Sequence, residues 1–61
     1  MGKMFKVANK NKASTIRFVT VEAESVNEAI EEAADRINVI YKTKGMDLWI
    51  EKTDLYVVEV K

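Results

Sequence analysis

Neither histidine nor cysteine occurs in this sequence, so acid–base and nucleophilic chemistry of the imidazole or thiolate kind is excluded at the outset. What remains is ten acids and ten bases, and they are segregated along the chain. Residues 1–21 carry Lys3, Lys6, Lys10, Lys12 and Arg17 with no acid, and residues 22–35 carry Glu22, Glu24, Glu28, Glu31, Glu32 and Asp35 with no base. Carboxylates alone can hold a divalent cation, but the alternate-residue spacing of a calcium loop is missing, so no metal is expected. A pair of carboxylates working as general acid and base needs a cleft, and 61 residues leave little room for one. Gly2 and Gly45 are the only glycines, too few for a loop that cradles phosphate. The chemistry to expect is therefore binding, with no enzyme activity and no cofactor.

The elements that must position these charges are legible from pattern. Ser25-Val26-Asn27-Glu28 is a capping box, and Val26, Ala29, Ile30, Ala33, Ile37, Ile40 and Tyr41 recur at helical spacing. Lys42-Thr43-Lys44-Gly45 closes that run with cations and a residue suited to a left-handed turn. A helix over 26–42 is predicted, with Glu28, Glu31, Glu32 and Asp35 on its polar face. Before it, residues 4–8 and 15–21 are rich in β-branched and aromatic residues, parted by a polar loop at 9–14. After it, 46–51 and 55–60 have the same character, parted by Lys52-Thr53-Asp54. The expected fold is α+β, ββαββ, an antiparallel sheet with one amphipathic helix packed across one face. In 16–21, apolar residues fall on both strand parities, which predicts burial on both faces or a bulge that shifts the register.

The passage from Val21 to Ile30 resembles a strand-to-helix junction common in small α+β proteins, HicB-like antitoxins among them. The likeness spans about ten residues and carries over no function. The composition, 48% hydrophobic and 33% charged, is that of one globular domain over 1–61. The opening residues lack the long apolar stretch of a secretory signal, and no run is long enough to span a membrane, so a cytoplasmic location is expected. A chain this short, with no disulfide or zinc to staple it, gains little net stability from its own core, which favours a homodimer or a bound partner.

Three surfaces are candidates for contact. In a second hairpin with a three-residue loop, Trp49, Leu55 and Val57 share one sheet face, and tryptophan is enriched where binding energy concentrates. Glu24, Glu28, Glu31, Glu32 and Asp35 form an acidic ridge in which like charges stand four residues apart, relieved only by Glu32 with Arg36; such a ridge suits a basic partner. Lys3, Lys6, Lys10, Lys12 and Arg17 offer phosphate contacts for nucleic acid, but without aromatic interleaving in the sequence and beside an acidic segment that repels a polyanion. The reading reached is a small protein-binding module that regulates or inhibits a larger protein. It resembles the accessory proteins of bacteria and phages that occupy another protein's surface. The alternative is a nucleic-acid-binding regulator that uses the basic hairpin.

Overall fold

In the first hairpin, Phe5, Val7 and Asn9 alternate with Met4, Lys6 and Ala8, and the pleat sends the first set inward. The computed structural model describes residues 2–61. Strand β1 (Lys3–Asn9) pairs antiparallel with β2 (Phe18–Ala23) on one side and with β3 (Leu55–Val60) on the other, so the sheet order is β2-β1-β3. Helix α1 (Val26–Thr43) crosses one face of this sheet. The α+β architecture expected from the sequence is the one the chain adopts.

The helix begins as its caps dictate. Ser25 Oγ accepts from the Glu28 N–H at 3.3 Å, and Glu28 Oε1 accepts from the Glu24 N–H at 3.3 Å. It ends on Gly45 at φ 73. There the Gly45 N–H bonds to Lys42 O at 3.1 Å and the Met46 N–H to Tyr41 O at 2.9 Å, the paired bonds of a Schellman turn. Ala29, Ala33, Ile37 and Tyr41 face the sheet as expected, and Ile30 packs against them. Val26 and Ile40, expected in the same stripe, lie half-exposed, and Ala34 and Asn38 are buried in their stead. The buried face is thus turned toward Ala34 and Asn38.

That turn accounts for the one expected strand that is missing. Residues 46–51 join no ladder. Asn38 Nδ2 donates to Ile50 O at 3.1 Å and Asn38 Oδ1 accepts from the Ile50 N–H at 2.8 Å. A side chain of the helix therefore supplies Ile50 with the two bonds a neighbouring strand would have given it. Ile50 drops into the core, Leu48 packs against it, and Lys52–Asp54 form a 3-10 turn that leads into β3.

The bulge suspected in the second segment lies elsewhere. Ile16 precedes β2 and packs on the core from the loop, so β2 itself alternates regularly, Val19, Val21 and Ala23 inward and Phe18, Thr20 and Glu22 outward. In β3 the partners run Lys6 with Glu59 and then Val7 with Val57, leaving Val58 as the extra residue. Tyr41 holds the remaining loop. Its phenol accepts from the Thr15 N–H at 3.1 Å and pairs with the buried Ser14 hydroxyl.

Candidate binding surfaces

Trp49, Leu55 and Val57 do not share a face. Leu55 stands opposite Asn9 and Val57 opposite Val7, so both point beneath the helix, Leu55 buried and Val57 packed on the core. Trp49 belongs to no strand and is 67% exposed. The expected second hairpin would have aligned the three, but the anchoring of Ile50 to Asn38 takes Trp49 off the sheet.

That same anchoring defines what Trp49 does offer. Ile50, its neighbour, is 1% exposed and tied by both backbone groups, so alternation turns Trp49 outward from a fixed point. The indole stands between two shallow hollows on the flank of α1. One is lined by Asn38, Lys42, Met46 and Leu48, the other by Ala34, Asp35, Lys52 and Thr53. Asp35 of the acidic ridge is thereby brought beside Trp49. Next to it, Glu31 Oε1 takes the Lys52 ammonium at 3.2 Å across an exposed surface. Glu32 and Asp35 are exposed, and Glu24 and Glu28 occupy the helix start, where Glu28 works as a cap. The ridge is thus split between a capping end and an exposed flank. Arg36, expected to relieve Glu32, donates instead to Thr20 O at 3.3 Å on the open edge of β2.

The five bases of the first hairpin are dispersed. Lys3 and Lys10 stand at opposite ends of β1, and Lys12 sits in the turn between the strands. The Arg17 guanidinium folds back onto Asn11 O at 2.8 Å. Lys6 lies on the outer face of the sheet, its ammonium 4.6 Å from the centroid of the Phe18 ring.

Phe18 is a residue the sequence did not single out, and Tyr56 is another. Both stand opposite Ala8, one on each side of it. Phe18 (56% exposed) and Tyr56 (49%) flank Ala8, which is 3% exposed although it belongs to the uncovered face. The signal was present as parity, since Phe18 alternates against Val19 and Val21 and Tyr56 against Leu55 and Val57. Without the strand order, though, the three residues could not be set in one row.

Tyr41 has a displaced acidity. Burial pushes its phenol up, but hydrogen bonds from Ser14, Thr15 and Ile16 outweigh burial and leave the pKa below the ordinary 10.0. Its oxygen is engaged by Ser14, Thr15 and Ile16, so the side chain is a structural anchor. No group of three carboxylates gathers as a cation site among the described residues, and no helix there is long and apolar enough to cross a membrane. No protein-family model, curated protein or solved structure matches the chain.

Proposed function

We propose that the chain is a small non-enzymatic binding module that regulates or inhibits a larger protein, contacting it through Trp49 and the acidic flank of α1. The observation that carries this reading is an exposed indole next to an anchored residue. Ile50, beside it, is locked to Asn38, so little freedom is lost when Trp49 enters a pocket. Asp35 and Glu31 beside it give the surface a negative rim, which suits a partner with an apolar pocket edged by lysine or arginine. Complementary charge of this kind speeds encounter, and the buried aromatic holds the complex.

The test is affinity capture from the source cell with and without nuclease, identification of the retained protein, and measurement of its binding to variants. A nuclease-insensitive protein partner is expected, and Trp49→Ala weakens it by about 30-fold or more through faster dissociation. A partner that binds Trp49→Ala as tightly as the parent chain removes this surface from consideration.

A further inference from the structure

On the side of the sheet that α1 leaves bare, the central strand presents Met4, Lys6 and Ala8 in alternation. Lys10 continues that parity, held in line by the bond of its N–H to Asp54 O at 2.9 Å. Cross-strand pairing sets Phe18 and Tyr56 on either side of Ala8. Two exposed rings thus stand about 10 Å apart, two inter-strand steps, with a lysine before and a lysine after the row. The sequence showed bases without interleaved aromatics, and the register supplies the interleaving.

We propose that this row is a platform for single-stranded nucleic acid, with bases stacking on Phe18 and Tyr56 and phosphates meeting Lys6 and Lys10. Every base has a π-face, so rings of this kind take bases with little regard to sequence. The Lys6 ammonium already lies over the Phe18 ring; a base that takes its place frees the ammonium for the adjoining phosphate.

Three acids border the face, and Asp54, beside Lys10, has its carboxylate engaged by Asn11 Nδ2 at 3.1 Å and the Glu51 N–H at 3.2 Å. Glu59 is engaged by Lys61 at 3.7 Å, and Glu22 lies opposite Met4, two residues along β2 from Thr20 and four from Phe18. The acids of α1 stand on the far side of the sheet, roughly a helix diameter of 10–12 Å behind it. That exceeds the ~8 Å over which charge acts at physiological salt, so the repulsion expected from the sequence falls mostly on the opposite side. A second copy of this chain is a poorer occupant. Laid face to face about a twofold axis through the centre, it sets Lys6 against Lys6.

The test is fluorescence anisotropy of a labelled oligothymidine and an oligoadenosine RNA of about 15 nucleotides, titrated with the whole chain at about 50 and 200 mM salt. Saturable binding of both is expected, weakened about 7-fold over that range if two phosphates are contacted. Phe18→Ala and Tyr56→Ala each weaken it roughly 5- to 150-fold, with circular dichroism unchanged because both rings are exposed. Lys6→Gln reduces the salt dependence, and Trp49→Ala, on another surface, leaves the affinity as it was. No binding below about 100 μM at the lower salt, equal affinity for duplex, or ring variants that bind like the parent would each overturn the proposal. So would a homodimer in sedimentation that Phe18→Ala dissolves, since the face would then be a self-interface. The Trp49 reading is untouched by any of these results.

Discussion

Tyr41 and Asn38 are polar side chains on the buried face of α1, and each holds a segment that the sheet leaves without a neighbour. Tyr41→Phe takes the acceptor from the Thr15 N–H and one partner from the buried Ser14 hydroxyl, which keeps its bonds to Ile16. A loss of about 1–3 kcal/mol is expected in denaturant unfolding, the cost of leaving such a group unpaired. The pH dependence follows from the lowered phenol pKa. The folded chain releases this proton more readily than the unfolded one, so stability rises as pH climbs through the folded pKa toward 10.0. Unfolding midpoints measured across that window should show the rise, and Tyr41→Phe should remove it. Asn38→Ala strips the bonds from both backbone groups of Ile50, at about 1–3 kcal/mol for each group left dry. It also frees the segment bearing Trp49, so the indole's fluorescence anisotropy should fall while helix content persists. An Asn38→Ala chain with parental stability and parental anisotropy would mean that Ile50 is held by packing alone.

Among the elements, α1 rests on local signals, and those signals can be tested one at a time. Ser25→Ala removes the acceptor for the Glu28 N–H and should lower the thermal midpoint by the equivalent of about 1 kcal/mol. The helix was legible because its caps lie within its own sequence, Ser25 and Glu28 at the start and Gly45 at the end. β1 and β2 were legible for a similar reason, although β2 starts at Phe18 and leaves Ile16 in the loop. Residues 46–51 have the composition of a strand but form none, because the residue that claims Ile50 lies twelve positions earlier on another element, and β-propensity says nothing of who the neighbour is. The same neighbour decides the site, since a hairpin there would group Trp49 with Leu55 and Val57, whereas those two pack in and against the core. β3 turns Leu55 and Val57 inward and Tyr56 outward, and the extra residue Val58 then shifts the register. The Phe18–Ala8–Tyr56 row needs the order β2-β1-β3, a non-local fact that no local pattern contains.

At the scale of the molecule, a net charge of zero conceals a local excess of acid, Glu31, Glu32 and Asp35 along the outer flank of α1, while the bare sheet face mixes Lys6 and Lys10 with Glu22 and Glu59. A local excess of this kind can steer a partner although the chain as a whole carries no net charge. The acidic flank allows steering and solvation to be separated. Glu31 meets Lys52 where both side chains are about 60% exposed, a pair contributing at most about 1 kcal/mol. Asp35 stands four residues from Glu31 and repels it. Glu31→Gln combined with Asp35→Asn should therefore leave thermal unfolding nearly unchanged, the lost pair and the relieved repulsion offsetting one another. Glu28 is kept, because its carboxylate caps the helix and its removal would confuse the two effects. If the flank steers association, the double variant should bind the captured protein more slowly at low ionic strength. Its dissociation should hardly change, and its rate should converge on the parent's as salt is raised. Stopped-flow association beside calorimetric unfolding measures both quantities on the same pair of proteins. An association rate unaltered at low salt would reduce the flank to solvated surface and leave Trp49 to hold the partner by itself.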